Sequence, residues 1–395
     1  KALVGASAIA LALTAVPGLS PAGAKVEPTI CPAYGDGTGE SGGSLKIDTT
    51  GDPQVVTVDA PDGYLIPMVF LALPAAGVAG VVGTDVSALM DADTVVMNQM
   101  TATQTGAQVG DVVELTAVDG SLQPFRIAGI RSYEQVGGTE LIIRTDGANR
   151  LGAFEDTQAV VWSIDSRAAF DQAVAEEALE SRRDTRVSRS WSAANPDDTL
   201  STARTKQALG EPWYVPVSDT TIAMHPTWVA NNLTAGRVLM SGAIPVRAQC
   251  HVRIVTDLQA AFAEVAAAGL GGAIEVGNTN TYGGCYNPRY SRLSGFLSRH
   301  AYAQAIDMNT VSTCQGCVPR MDCRVVQIFR RHGFAWGGNF RRPDGMHFEW
   351  VGERRDLIPY PSNYCPNAAT AGAQSTDAPA QEGRDVLVDS LDALV

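Results

Sequence analysis

Two histidines and an aspartate in the second half of the chain have the types and spacing of a metal site. They are His300, Asp307 and His347. Two imidazoles and one carboxylate suit a zinc ion that keeps its fourth position open for water or substrate. Asp344 lies three residues before His347, within reach of such a water. Because bound zinc lowers the pKa of water and a nearby carboxylate can take the proton, this pattern predicts hydrolytic chemistry.

The residues around these candidates predict two strands that present them on one face. Ala305–Asn309 and Met346–Trp350 both alternate apolar and polar side chains, as half-buried strands do. Asp307 and His347 would then face a cleft while their neighbours face the core. His300 would come from the loop or helix end that precedes the first of these strands.

The motifs resemble those of a known peptidase family. They are Ser298-x-His300-x6-Asp307, Asp344-x-x-His347-Phe348-Glu349, and the flanking blocks Gly284–Arg289 and Gly333–Gly338. Together they resemble the VanY-type D-alanyl-D-alanine carboxypeptidases, whose scaffold phage L-alanyl-D-glutamate endopeptidases share. The resemblance covers roughly Thr205–Cys365, under half of the chain. It implies a small α+β fold with zinc held over an antiparallel sheet by His300, Asp307 and His347.

Further residues have roles that this resemblance implies. Asp344 would be the general base, although it could instead only cap the turn that it forms with Gly345. Arg289 would bind a substrate carboxylate or polarise the scissile carbonyl, with Arg292 as its substitute or neighbour. For either arginine, a surface salt bridge is the alternative. Ser298 would hydrogen-bond within the substrate site.

Glu349 is expected to orient a metal ligand from behind, without itself binding the metal. The other histidines lack the context of His300 and His347. His251 and His332 are interpreted as structural, and the role of His225 is left open. A separate departure from the family pattern occurs at Ala303, where the family usually has glycine. If the backbone needs a positive φ there, alanine costs stability.

Composition and charge limit the function classes. The chain has 395 residues, 45% of them hydrophobic, and a formal net charge of −13. This charge argues against a nucleic-acid partner, because phosphate binding needs a basic face. Residues 1–24 combine a basic start, an apolar run and the end Ala22-Gly23-Ala24, which predicts a cleaved secretory signal. A secreted or cell-envelope protein follows, with membrane contact only if that segment is retained.

The cysteines support an extracytoplasmic location. Six of the seven fall in the peptidase-like part: Cys250, Cys285, Cys314, Cys317, Cys323 and Cys365. An even number permits three disulfides in an oxidising compartment, with Cys31 left as the free thiol, although the pairing cannot be read from the sequence. The alternative is a second, structural zinc site built from Cys314, Cys317 and Cys323.

The predicted fold class is α+β, with a smaller β-rich domain before the zinc peptidase domain. The predicted division is a signal at 1–24, a linker at 25–45, a β-rich domain at 46–165, a charged helix and polar connector at 166–204, the peptidase domain at 205–365 and an acidic, flexible tail at 366–395. Tyr64–Thr84 has no charge, yet its prolines and glycines favour a buried strand followed by a helix over a membrane span.

Two helices are predicted in the peptidase-like part. Thr256–Gln259 has the form of a capping box, and the apolar stripe after it predicts a core helix that ends at Gly269. Asp322–His332 predicts a second helix.

These features lead to one functional hypothesis and one alternative. The hypothesis is a secreted zinc peptidase acting on peptidoglycan stem peptides, as a D-alanyl-D-alanine carboxypeptidase or an endopeptidase. The alternative is a non-catalytic, zinc-containing module for wall binding or signalling.

Overall fold

The computed structural model describes residues 63–73, 75–117, 121–133, 135–136, 139–152, 195–275, 282–291, 296–340 and 342–367, and the backbone of four strands before residue 60. The chain divides into two compact units. The first comprises residues 1–192, 201–207 and 379–391, and the second comprises 193–200, 208–378 and 392–395. The charged helix predicted around 171–186, residues 368–395 of the predicted tail and Arg292 lie outside the described residues.

The first unit is built on a mixed sheet. Its strands are β1 (Ile9–Leu11), β4 (Gln54–Asp59), β5 (Leu65–Leu73), β6 (Thr94–Asn98), β7 (Val112–Thr116), β8 (Leu122–Arg131) and β9 (Leu141–Arg144). Their order is β1-β7-β8-β6-β9-β5, with β4 paired to β5. β6 runs parallel to β8, and β5 runs parallel to β9. A separate antiparallel pair, β2 (Thr29–Ala33) and β3 (Gly43–Ile47), falls in the segment predicted as a linker.

Several helices accompany the sheet of the first unit, although this part of the chain was predicted to be β-rich. The described part of the first unit contains α1 (Ala75–Val82), α2 (Thr84–Ser87), α3 (Gln99–Thr105), α4 (Thr145–Arg150) and most of α5 (Thr202–Leu209). Buried apolar residues of β5, β6 and β9 pack with those of α1 and α2. The buried strand and small-residue helix predicted within Tyr64–Thr84 are confirmed as β5 and α1. Among the described residues, no helix has the length and apolar character needed to cross a bilayer.

The second unit combines helices with antiparallel strands, which is consistent with the predicted α+β class. An antiparallel sheet has the order β14 (Tyr282–Gly284), β15 (Ala305–Met308), β17 (His347–Trp350), β16 (Phe334–Trp336). Short antiparallel pairs join β10 (Tyr214–Pro216) to β11 (Ile222–Met224) and β12 (Val238–Leu239) to β13 (Arg247–Ala248). The helices are α6 (Pro226–Asn232), α7 (Val252–Ala267) and α8 (Cys323–Arg331).

The core of the second unit lies between α7, α8 and one face of the sheet. Phe262 of α7 packs edge-on against Phe329 of α8, with 5.5 Å between the ring centroids. Phe329 also contacts Phe348 of β17, and all three rings are buried. The apolar side chains of β15 and β17 therefore face this core, and the polar side chains that alternate with them, Asp307 and His347, lie on the opposite face of the sheet.

The two core helices were predicted with unequal accuracy. α8 begins after Asp322, whose side chain accepts a hydrogen bond from Arg324 N, as predicted. The predicted start of α7 at Thr256 is wrong, because the helix begins one turn earlier. His251 is the N-cap there, and its Nδ1 accepts a hydrogen bond from Arg253 N at 3.1 Å. The predicted apolar stripe is confirmed, since Leu258, Ala261, Phe262 and Val265 are all buried.

Three disulfides form among the six clustered cysteines: Cys250–Cys285, Cys314–Cys317 and Cys323–Cys365. Cys323 therefore bonds to Cys365 at the far end of the unit and not to a shared metal. This pairing overturns the alternative of a second zinc site.

A buried ion pair brings residues 195–200 into the second unit, although they were predicted as a polar connector. Asp197 Oδ1 accepts a hydrogen bond from Arg330 Nε at 2.8 Å, and Oδ2 accepts from Arg330 Nη2. Asp197 also accepts hydrogen bonds from Trp336 N at 3.1 Å and Asn339 Nδ2 at 2.7 Å. This one carboxylate therefore joins α8 to β16 and to the turn that follows it.

Replacing Asp197 by Asn should destabilise the second unit by about 3–5 kcal/mol, because the Arg330 guanidinium would stay buried without its counter-charge. Asp322→Asn is the matched control. Its partner Arg324 is 72% exposed, and asparagine caps a helix as well as aspartate does, so the loss should stay below about 1 kcal/mol. Urea unfolding measures both variants. Equal losses would contradict the role given to Asp197.

Candidate metal centre

Strand pairing places two of the three candidate ligands directly opposite each other. In the antiparallel pair β15 and β17, Asp307 lies across from His347. Side chains at paired positions of adjacent strands lie on the same face of a sheet. The distance from His347 Nδ1 to Asp307 Oδ1 is accordingly 3.1 Å.

The third candidate, His300, reaches the same carboxylate from the turn before β15. Its Nε2 lies 3.1 Å from Asp307 Oδ2, and its Nδ1 lies 2.8 Å from the carbonyl oxygen of Cys285. A carbonyl only accepts hydrogen bonds, so Nδ1 carries the hydrogen and Nε2 offers its lone pair. The hydroxyl of Ser298 accepts a hydrogen bond from His300 N at 3.3 Å and helps to hold this turn.

The three side chains fit a metal ion. Their ligand atoms all lie within 4.8 Å of one another. His300 Nε2 is buried and has no hydrogen-bond donor among the described residues, so its lone pair faces a carboxylate oxygen that is also an acceptor. A cation between them would satisfy both atoms. Two imidazoles and one carboxylate, each with its free atom turned inward, form the donor set of an open zinc site.

Electrostatics at the centre favour positive charge. Burial by itself would raise the pKa of Asp307, but the neighbouring His300 and His347 hold that pKa far below its usual range. Burial would likewise lower the pKa of His347, yet hydrogen bonds to Asp307 and Glu349 raise it to about 10. In the metal-free protein a proton on His347 therefore supplies the positive charge that a cation would otherwise bring.

A buried carboxylate and a buried guanidinium lie behind His347. Glu349 Oε2 is 3.4 Å from His347 Nε2, which directs the hydrogen of the ring to Nε2 and leaves Nδ1 for the metal. Glu349 Oε1 is 3.2 Å from Arg299 Nε, and Arg299 also donates to the carbonyl of Leu200 at 2.6 Å. Sequence reasoning missed Arg299. Its position between Ser298 and His300 was the available signal, but its partner lies fifty residues away.

Asp344 lies beside the centre and is only 7% exposed. Its backbone carbonyl accepts a hydrogen bond from His347 N at 3.1 Å. Oδ2 accepts one from Gln315 Nε2 at 3.2 Å, and Oδ1 is buried without a hydrogen-bond partner among the described residues. Burial raises the pKa of Asp344, and the charges of His347, Asp307, His300 and Arg289 also act on it.

Arg289 is half-buried, and its positive charge partly opposes the rise that burial causes in the pKa of Asp344. Its Nη1 donates to the carbonyl of Tyr290 at 3.3 Å. Arg289 O accepts a hydrogen bond from Ser298 N at 3.0 Å, so the two residues are neighbours. The roles of Arg289, Arg292 and Ser298 toward a substrate stay predictions.

The remaining histidines stabilise helices. His225 caps α6, since its Nδ1 accepts a hydrogen bond from Thr227 N at 3.1 Å, and His251 caps α7 in the same way. His332, at the end of α8, lies 2.7 Å from Glu264 Oε2 of α7. None of these three belongs to the group of candidate ligands found among the described residues.

A comparison with protein families finds one match, the model described as D-alanyl-D-alanine carboxypeptidase, over residues 292–350. This segment contains His300, Asp307, Asp344 and His347. The match supports a relation to zinc peptidases that act on peptidoglycan, and it does not single out the VanY type. No curated protein and no solved structure matches the chain significantly.

Ala303, between the first two candidate ligands, does adopt a positive φ, of 53°. Its backbone is tied on both sides, because Ala303 N donates to His300 O and Ala303 O accepts from His251 N, both at 3.1 Å. The left-handed conformation costs alanine about 1–2 kcal/mol, which glycine avoids. The fold therefore accepts local strain at a position where the resembled family has glycine.

Ala303→Gly should lower the free energy of unfolding by about 1–2 kcal/mol less than Ala301→Gly does. Only the first substitution relieves the strain of a left-handed conformation. Ala301 is the matched control. It is also fully buried in the same turn, and its φ lies outside the left-handed region. Chemical unfolding of the two variants measures the difference. An equal loss in both would show that Ala303 carries no strain.

Proposed function

We propose that the second unit is a zinc peptidase that hydrolyses peptide bonds in peptidoglycan stem peptides, acting as a D-alanyl-D-alanine carboxypeptidase. The observation that carries this proposal is the convergence of His300, Asp307 and His347 with the buried carboxylate of Asp344. The family match over 292–350 supports the class of substrate.

Zinc bound by these three residues would polarise the scissile carbonyl and make water acidic enough to attack it at neutral pH. The protein supplies what orients that chemistry. The carbonyl of Cys285 fixes the hydrogen of His300 on Nδ1, and Glu349 fixes the hydrogen of His347 on Nε2. The lone pairs that remain, together with one oxygen of Asp307, point inward.

Asp344 serves as the general base in this proposal. Its Oδ1 takes a proton as the oxygen of water adds to the carbonyl carbon, and returns that proton to the nitrogen as the carbon–nitrogen bond breaks. A carboxylate transfers protons best when its pKa lies near the working pH. The raised pKa of Asp344, which burial causes, suits both the acceptance and the return of the proton.

Arg289 is proposed to bind the terminal carboxylate of the stem peptide, the group that distinguishes a carboxypeptidase substrate. A guanidinium binds a carboxylate with two parallel hydrogen bonds. Arg289 is half-buried near Asp344, and Arg292 stays its proposed substitute. Ser298 is proposed to contribute a hydroxyl to the same substrate site.

An extracytoplasmic location is part of this proposal. Three disulfides within one unit need an oxidising compartment to form and persist. Peptidoglycan stem peptides are found in such a compartment. The secretory signal predicted at residues 1–24 would deliver the chain there, and its cleavage would remove β1 from the sheet of the first unit.

Zinc affinity should rise with pH, by roughly tenfold per unit for each proton that the metal displaces. His347, with its pKa raised to about 10, keeps such a proton in the metal-free protein. The same proton has the opposite effect on metal-free stability. Its ion pair with Asp307 is complete below the ordinary pKa of 6.5 and is lost as the pH rises toward 10. Chelator competition at pH 6, 7 and 8 measures the affinity.

His332→Gln is the control for this measurement, because His332 contacts Glu264 and not the centre. The zinc affinity of this variant should change with pH as steeply as that of the unchanged protein. A zinc affinity that does not change between pH 6 and pH 8 would contradict the assignment of His347.

Purified protein incubated with muropeptides that end in D-alanyl-D-alanine should release the terminal alanine, and chelation should abolish the release. Asp344→Asn should retain about one zinc per chain while turnover falls on the order of 10²–10⁴-fold. His347→Ala should lose zinc and activity together. Mass spectrometry follows the peptides, and Asp322→Asn is the active control.

Other products would change the conclusion. An internal cut would make the protein an endopeptidase. Unchanged peptide with tight zinc-dependent binding would support the non-catalytic module. Loss of zinc from Asp344→Asn would make Asp344 a ligand. Retention of zinc and of full activity in that variant would move the base role to another group.

A further inference from the structure

A four-residue turn closed by the Cys314–Cys317 disulfide lies against Asp344. Within the turn, Cys317 N donates to Cys314 O at 3.0 Å. Gly316 N links the turn to the residue before Asp344 by donating to Pro343 O at 2.6 Å. Gln315 forms an isolated antiparallel bridge with Asp344. Gly316 has a φ of 81°, a conformation that glycine adopts at little cost. The disulfide and the backbone bonds therefore fix Gln315 next to the carboxylate.

The side chain of Gln315 forms a hydrogen bond with only one of the two carboxylate oxygens of Asp344. Its Nε2 donates to Oδ2 at 3.2 Å, whereas Oδ1 has no hydrogen-bond partner among the described residues. An amide nitrogen only donates, so this bond is strongest while Oδ2 carries no proton, because an unprotonated carboxyl oxygen accepts better than a hydroxyl oxygen. A proton that reaches Asp344 is thereby directed to Oδ1.

The main chain of Asp344 and Gly345 is also fixed by hydrogen bonds. Asp344 N donates to Gly337 O at 2.8 Å, and the carbonyl of Gly345 accepts from Trp336 Nε1 at 2.9 Å. A Cβ on Gly345 would lie 1.9 Å from the hydroxyl oxygen of Thr313, so glycine is required for the close approach of this segment to residue 313. The main chain around Asp344 is fixed by these contacts, and Gln315 fixes the orientation of its carboxylate.

We propose that Gln315, presented by the Cys314–Cys317 turn, is a positioning residue that holds Oδ2 of Asp344 and leaves Oδ1 to receive the proton. This inference rests on the proposed function, because it assumes that Asp344 is the base. Among the described residues, the side chain of Gln315 hydrogen-bonds Asp344 and none of the three candidate ligands, so the proposed role is exerted through Asp344. Loss of the Gln315 side chain should therefore change turnover without changing substrate affinity.

Gln315→Met keeps the length of the side chain and removes the donor. The full chain loaded with zinc should then show a kcat lower by roughly 10- to 100-fold, the effect of one hydrogen bond to a charged group, with an unchanged KM and about one zinc per chain. Gln259→Met is the matched control, because Gln259 is an exposed glutamine of the same unit on α7, and its kcat should not change.

A double variant separates positioning from a structural role. In the Asp344→Asn background, Gln315→Met should cause no further loss, because the carboxylate that it orients is gone. Gln315→Glu provides a second test should Gln315→Met fold poorly. A second carboxylate against Oδ2 should lower kcat at an unchanged KM.

Each outcome decides one proposal. Full activity in both Gln315 variants, with Asp344→Asn inactive, would overturn the inference and leave the proposed function standing. An additional loss in the double variant, a raised KM or a loss of zinc would also overturn it. Full activity in Asp344→Asn would refute the base role itself, and the inference with it.

Discussion

The antiparallel pairing of β15 with β17 is the constraint on which the rest of the second unit depends. It places Asp307 across from His347 and turns both toward the same face, while Ile306 and Phe348 enter the core beneath them. A slip of one strand by one residue would turn its side chains to the opposite face and so separate Asp307 from His347. The aromatic core under the sheet therefore sets the register that assembles the polar centre above it.

Basic and acidic side chains alternate outward from the pair Asp307 and His347. His300 and His347 flank the carboxylate of Asp307, Glu349 lies behind His347, and Arg299 lies behind Glu349. Each group is largely removed from water, so each depends on the next for the compensation that solvent would otherwise give. The centre is consequently a chain of paired charges, in which the place of one proton can be taken by a divalent cation.

Much of this could be predicted from the sequence, because alternation along a strand is a local property. The three candidate ligands, both strands of the centre and α8 follow from patterns a few residues long. The contacts that sequence reasoning missed join distant positions: Asp197 with Arg330, Arg299 with Glu349, and Gln315 with Asp344. The start of α7 was misplaced for a related reason, since His251 is an uncommon cap and the Thr256–Gln259 pattern imitates a common one.

The Cys250–Cys285 disulfide has a consequence for how the protein matures. The carbonyl that selects the tautomer of His300 belongs to Cys285, and the residue after Cys250 caps α7. Oxidation of one cysteine pair thus crosslinks the start of a core helix to the support of a metal ligand. A chain that is still reduced would lack this crosslink, and the Cys285 carbonyl that contacts His300 would then be held only by the surrounding backbone contacts.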